Sequence, residues 1–404
     1  MMAGKQGPAP IGRRDFLARS AGALAIAGAP WPAAAKGSWA PRLVVVSLDG
    51  GADGLALLPP HGDRNYRRAR GMLALDPRDP ALQATDLDGF FALHPALAPL
   101  HGFYRAGELL AIPAAGFSSE PLSHARALAK FSGWEGGPDG DGSGWLHRAL
   151  ALHDGGRAPA LAIIGEELPP MLRGPRPIAN LRTLAPSTPA DRLADTVADL
   201  HRGEIIFADS LPRLSVGGTA GNSFVGDRQR HRNATFSATM AAAGRELAAG
   251  HGPKIVSIGF AGWDSHADQG NIDGRLSLAM AGLADGLAAL ASSCGESWGK
   301  TVVLVATEFG RTVAPNREGG TDHGAAGAVL LLGGAVAGGR VLGQWPGLEP
   351  DRLTASGALA PTTNLRAVFK SVLIDHLGLS RDAVDNVVFP ASLAVRPLQN
   401  LVRA

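Results

Sequence analysis

Apolar residues in this chain gather into short unbroken runs, separated by stretches rich in glycine, proline and aspartate. The clearest runs are Arg42–Gly51 (RLVVVSLDGG), Gly107–Gly116 (GELLAIPAAG), Ala160–Gly165 (ALAIIG), Pro253–Gly262 (PKIVSIGFAG), Lys300–Gly310 (KTVVLVATEFG) and Gly327–Gly334 (GAVLLLGG). Runs of this length without polar alternation predict strands buried on both faces. Pro113 weakens the end of the second run. Helical spacing shows in three other places. Leu193, Val197 and Leu200 share one side of Pro189–His201, Leu276–Leu290 is rich in alanine and leucine, and apolar positions recur at three and four through Leu365–Leu377. Strands alternating with helices predict an α/β fold whose mostly parallel central sheet is covered on both faces.

Two segments resist this pattern. Residues 170–232 mix proline, arginine, threonine and glycine, and are expected to form a cap insertion over one sheet edge. Gly133–Gly144 (GWEGGPDGDGSG) is a glycine-rich loop without the aspartate spacing and final glutamate of a calcium-binding EF-hand. Residues 36–404 otherwise read as one domain.

Composition narrows the function. The 404 residues are 45% hydrophobic and 18% charged, enough for a large core, and the net charge of +2 leaves no footprint for nucleic acid. Cys294 is the only cysteine, so neither an intrachain disulfide nor a thiolate cluster can form, and it reads as a buried bystander. Arg13 and Arg14 precede a mild apolar run (AGALAIAGA) and Ala33-Ala34-Ala35. That is the pattern of a twin-arginine export signal cleaved near Ala35. Its apolar part is much shorter than the ~20 residues a membrane span needs, and no other run of that length reads as continuously apolar. The expectation is therefore a protein without a stable membrane span. It would be handed folded to the twin-arginine machinery and delivered to the periplasm or outside the cell.

Chemistry-bearing residues fall at the ends of the strand runs, where open α/β sheets place their ligands. Asp49 ends the first run, Asp264 and His266 follow the fourth, and Glu308 ends the fifth. Asp264 and His266 are two apart, so an extended backbone turns both the same way. Carboxylate and imidazole together suit zinc or manganese, and Asp322-His323 could add to the set. Arg311 has the planar fork that matches phosphate or sulfate oxygens. Each residue also has a plainer reading. An Asp-x-His on a surface is usually just solvated, Glu308 could pair with Arg311, and Asp322 could orient His323 or serve the turn after Gly319-Gly320. Ser123, before a helical run, is either an ordinary N-cap or a nucleophile close to helix-start N–H groups, with His124 as a ligand or acid beside it. The turn Gly50-Gly51-Ala52-Asp53-Gly54 allows close backbone approach to an anion, with Asp53 alongside, but matches no nucleotide fingerprint. His94, His101 and His376 read as structural. A metal-free Ser-His-Asp hydrolase has no support, because the Gly-x-Ser-x-Gly elbow is missing.

Taken together, the twin-arginine leader, LVVVSLDGGADGL, LHPALAPL, GELLAIPAAG, SHA, WDSHADQ, TEFGRT and GGTDHGAAGAVLLLGG resemble the domain of unknown function 1501 family. That family consists of exported proteins and is a divergent relative of the alkaline phosphatase and sulfatase superfamily. The resemblance runs from Arg42 to Leu377 and implies an alkaline-phosphatase-like three-layer α/β/α sandwich. It further implies metal ligands at Asp49, Asp264, His266, Glu308 and His323, and a nucleophile at Ser123. Two departures stand out. Glu308-Phe309 replaces an Asp-His pair, and Asp264 and His266 are closer together than the usual Asp-x-x-x-His. Two functions follow as expectations. One is an exported metal-dependent hydrolase of a phosphate or sulfate ester, using zinc or manganese with Ser123 attacking and Arg311 stabilising charge. The other is a non-catalytic binding or assembly protein that keeps the fold.

Overall fold

A computed structural model describes residues 40–82, 84–133, 142–153, 161–162, 169–175, 178–180, 220–249, 252–390 and 392–403. The expected export signal with Arg13, Arg14 and Ala35, the helix expected at 189–201, and most of the glycine-rich loop lie outside the described residues.

The central sheet has seven strands: β1 (Arg42–Asp49), β2 (Leu109–Gly116), β3 (Ile255–Ala261), β4 (Thr301–Ala306), β5 (Gly327–Leu332), β6 (Arg340–Val341) and β7 (Thr363–Asn364). Their order is β6-β2-β5-β4-β1-β3, with β7 also paired to β2. β1 lies at the middle of three parallel strands, with Val44 beside both Val256 and Val303. β6 and β7 run parallel to β2. β5 runs antiparallel to β2 and to β4, and is the one reversed strand of the seven. The expectation of a mostly parallel sheet holds.

The strands are apolar on both faces because both faces are covered. Seven helices matter here: α1 (Gly54–Leu57), α2 (Tyr66–Arg70), α3 (His124–Ser132), α4 (Trp145–His153), α5 (Ala220–Ala248), α6 (Arg275–Cys294) and α7 (Leu365–Ser371). Val44, Val46 and Leu48 point to one face, where they meet Phe236 and Met240 of α5 and Met280 and Leu283 of α6. Leu43 and Val45 point to the other, against Trp145 and Leu146 of α4 and Val368 and Phe369 of α7. All of these side chains are almost fully enclosed, each burial being worth roughly 1.5–3 kcal/mol over exposure. The result is three layers, α/β/α, as expected.

Three details differ from the sequence reading. Leu161–Ala162 joins no central sheet; it pairs in parallel with Ala179–Asn180 in a small separate sheet. Residues 220–232 belong to the long helix α5, while most of the remaining expected cap lies outside the described residues. The segment Arg275–Lys300 is long and apolar enough to cross a membrane by length and composition, contrary to the expectation that no such run exists. Over half of its apolar window (56%) is buried in this fold, so α6 serves as a core helix. Cys294 at its end is buried as expected, and burial pushes its thiol up to about 11.

Candidate active site

β1, β3 and β4 run side by side and end together, so the loops that follow them meet at one edge. Asp49 closes β1, and its carboxylate lies over Gly259 of β3 on the face shared with Ser47. Gly50 and Gly51 then turn the chain with φ of 121° and 76°, a region that favours glycine. The excursion from Thr307 to Ala326 joins β4 to β5 and folds back on itself, bridging Arg311 to His323 in antiparallel fashion. Backbone bonds from Thr312 N to Asp322 O (3.0 Å) and from Gly324 N to Gly310 O (2.7 Å) tighten that fold. Gly324 packs so close to the Arg311 backbone that a side chain there would collide with it.

Glu308 is a carboxylate held from several sides. It is 7% exposed, takes a hydrogen bond from Gly50 N at 3.0 Å, and takes another from the Thr307 hydroxyl at 3.0 Å. His124 Nδ1, on the first residue of α3, lies 3.4 Å from the same Oε1 that Gly50 contacts. Burial opposes ionisation of Glu308, but the bonds from His124, from backbone N–H groups including that of Gly50, and from Thr307 outweigh it and hold its carboxyl below the ordinary range.

Around this pair stand two more imidazoles. His323 lies 4.5 Å from His124 and 4.8 Å from His266, measured between ring centres. His266 Nε2 is 3.5 Å from Asp264, and its Nδ1 is 3.3 Å from Asp322. Burial, reinforced by repulsion from His124, Arg311 and His266, lowers His323 to about 4 and so keeps it neutral near pH 7. Asp264 is partly desolvated, yet Arg311 and His266 hold its carboxyl down. Asp322 is lowered first by a hydrogen bond from Asn316 and then by His266. Phe309 forms the floor, its ring centre 4.9 Å from that of His124 and 4.6 Å from that of His323.

The structure thus brings together Asp264, His266, Glu308, Asp322 and His323, with His124 among them. It gives three other expected site residues different work. Arg311 is fully enclosed rather than presented to an anion. Its Nε donates to Gly51 O (2.6 Å), its Nη1 to Thr321 O (3.1 Å), and its Nη2 to Gly50 O and to Asp264 (2.9 Å). Four of a guanidinium's five N–H groups are thereby committed to holding loops together. Asp53 is 1% exposed and caps α1, accepting from Leu55 N and Ala56 N while pairing with buried Arg70 and taking 2.7 Å from Gln269 Nε2. Ser123 is the N-cap of α3, its oxygen facing Arg126 N at 3.5 Å. That is the plainer of its two readings. His94 and His376 are structural, as expected: both are buried, and each imidazole meets a backbone carbonyl.

Sequence reasoning overlooked the supports of the site. Asn316 holds both the His266 carbonyl (2.8 Å) and Asp322 (3.0 Å). Gln269 links Asp53 to the Thr321 hydroxyl (2.8 Å), tying the excursion to α1 and α2. The only sequence signal for either is position, since both sit inside the loops that carry the ligand-type residues.

Imidazole nitrogens and carboxylate oxygens are donors that zinc or manganese accepts. The arrangement is another matter. Among the described residues no three of histidine, cysteine, aspartate or glutamate stand as a ligand set for one ion. The carboxylates are turned toward imidazoles, Arg311, Asn316 and backbone N–H groups instead. A cavity of about 400 Å³ lined by His61, Asp63, Tyr66, Arg67, Asp76 and Arg78 shares no lining residue with this cluster.

Residues 220–388 match the family described as a protein of unknown function (DUF1501), the family that the sequence motifs resemble. That span contains α5, α6, WDSHADQ, TEFGRT and GGTDHG. No curated protein matches the chain. Several solved structures are similar in fold at low identity. The phosphonate monoester hydrolase of Agrobacterium radiobacter is 12% identical over 84% of this chain and 74% of its own, with a TM-score of 0.38. The PsFucS1 sulfatase from Pseudoalteromonas sp. is 11% identical over 90% of this chain and 74% of its own, with a TM-score of 0.38. The lipoteichoic acid synthase of Listeria monocytogenes is 9% identical over 88% of this chain and 76% of its own, with a TM-score of 0.35. Likeness at this level says nothing of what this chain binds or turns over.

Proposed function

We propose that this protein is an exported hydrolase of a phosphate or sulfate ester, acting where the loops after β1, β3 and β4 meet. The observation that carries the reading is the convergence of His124, His266 and His323 with Asp264, Glu308 and Asp322 at that edge. Imidazoles between carboxylates can hold and move protons, and they offer donors to an anionic ester. Phe309 and Arg311, buried beneath them, keep water out of the floor and fix the loops. Arg13, Arg14 and the Ala33–Ala35 segment support export to the periplasm through the twin-arginine machinery.

Zinc or manganese is the cofactor that the donor chemistry suits. Asp49, Asp264, His266, Glu308 and His323 are the residues that the resemblance would assign to it. Of that set, His266 Nε2 and Asp264 lie 3.5 Å apart, while the other His266 nitrogen faces Asp322 at 3.3 Å. The test is elemental analysis of the mature protein after native export, together with assays on an aryl phosphate, a phosphonate monoester and an aryl sulfate. The same measurements are made on a His266→Ala, His323→Ala variant. Turnover of one ester class, lost in the variant, is the expected result. No turnover of any class, with or without added zinc or manganese, refutes the hydrolase. The second reading, a binding protein, draws on the enclosure of Arg311 and on Phe309 standing where the resemblance expects an imidazole. It predicts an anion-binding signal without turnover.

A further inference from the structure

The expected nucleophile, Ser123, is occupied as a helix cap and stands on the exposed side of the α3 start. Its neighbour is placed quite differently. His124 is partly enclosed, with 22% of its side chain exposed, and it packs against both Phe309 and His323. Its Nδ1 faces Glu308, a carboxylate that cannot swing away. Gly50 N donates to one of its oxygens and the Thr307 hydroxyl to the other, and the hydroxyl oxygen is itself fixed by accepting from Ala52 N at 2.9 Å. A proton on Nδ1 directed at Glu308 fixes the tautomer, which leaves the lone pair on Nε2. An oriented imidazole backed by a rigid carboxylate is the arrangement of an activated nucleophile.

Resting on the hydrolase reading, we infer that His124 is the nucleophile of this site, that Glu308 positions it, and that the substrate is a phosphate monoester. The Nε2 lone pair forms a P–N bond as the P–O bond to the leaving alkoxide breaks, and the alkoxide takes a proton from solvent water. A second water then attacks phosphorus, the P–N bond breaks, and Nε2 recovers its lone pair. The proton of that water neutralises the hydroxide left by the first step, so alcohol and inorganic phosphate are the only net products. Ser123 contributes the helix cap and no covalent bond.

Phosphoramidate, a small phosphoryl donor, tests this without requiring ester turnover. The natively exported protein is treated with it and digested, and the modified residue is mapped by mass spectrometry. The expected result is one phosphoryl group on His124, stable in alkali and lost in acid. The label persists in Ser123→Asn, which keeps a capping oxygen but removes the hydroxyl. It disappears in His124→Asn and falls in Glu308→Gln. Label on Ser123, label spread evenly over exposed histidines, or no label above that of the unfolded chain would each overturn the assignment. Ester assays on the same samples separate the two readings. Labelled His124 without turnover of any ester sinks the hydrolase alone. Phosphate-ester turnover that survives in His124→Asn sinks the nucleophile alone.

Discussion

Replacing Arg70 with methionine removes one partner of a fully enclosed ion pair and leaves the other in place. Arg70 and Asp53 have side chains 0% and 1% exposed. Arg70 also donates to the carbonyls of Thr312 (3.3 Å) and Val313 (3.0 Å), at the start of the excursion that walls the site. Breaking a buried pair from one side typically costs about 3–5 kcal/mol, because the remaining charge stays buried without its partner. Two abandoned carbonyls add about 1 kcal/mol each where water cannot reach them. Against this, Asp53 keeps Leu55 N, Ala56 N and Gln269, which offset part of the loss. The expected net cost is therefore about 4 kcal/mol, near the middle of that range. At roughly 2–4 °C per kcal/mol for a large domain, Tm falls on the order of 10 °C. Differential scanning calorimetry measures it. The companion variant, Asp53→Asn with Arg70→Met, removes both charges while keeping a capping oxygen, and should recover a good part of the loss. A shift under about 1 kcal/mol for Arg70→Met, or a double variant as unstable as the sum of the single changes, would refute the reasoning.

Two further predictions concern the floor of the site and the acid stability of the fold. Gly51→Ala places a methyl group into the Phe309 ring at a φ of 76°, so both strain and overlap act. It should cost about 1–3 kcal/mol for the backbone alone, and Phe309→Ala added to it should relieve the overlap; equal melting curves for Gly51→Ala and wild type would refute this. His94 and His376 are both held neutral, chiefly by burial, below the ordinary value of 6.5. The unfolded chain therefore takes up their protons more readily than the folded one. Their share of stability is intact above 6.5 and is lost as pH falls toward the lowered folded values. Melts from about pH 7.5 down to about 5 should show this decline, with a shallower slope in His376→Gln; identical slopes would contradict it.

Much of the frame could be read from the chain because buried strands announce themselves. RLVVVSLD, IVSIGFA and TVVLVA are apolar on both faces, and their ends carry the residues that meet at the site. The direction of GAVLLLGG could not be read, since a run apolar on both sides looks the same in either sense. Arg311 misled for a related reason. A guanidinium beside ligand-type residues reads as an anion clamp, and nothing in the sequence reveals the carbonyls of Gly50, Gly51 and Thr321 that enclose it. The cap role of Asp53 is legible in the sequence, because an aspartate before Gly-Leu-Ala-Leu is an ordinary helix start. For His124 the sequence offers a ligand or an acid and does not separate them, because its partner Glu308 lies 184 positions away in the chain.

The reversal of β5 has a consequence for how this protein can change. A parallel neighbour of β4 would have obliged the chain to cross the sheet before returning. Because β5 comes straight back alongside β4, the chain between them leaves and re-enters at adjacent strands, only about 4.8 Å apart. Those residues need not span anything, and their length is nearly free of the sheet's geometry. The wall holding Glu308, Phe309, Arg311, Asp322 and His323 is in effect a cassette clipped into a fixed frame. Its length can change while β1, β3 and β4 go on presenting the same edge, provided the ties through Glu308, Arg311 and Thr321 to the neighbouring loops are kept.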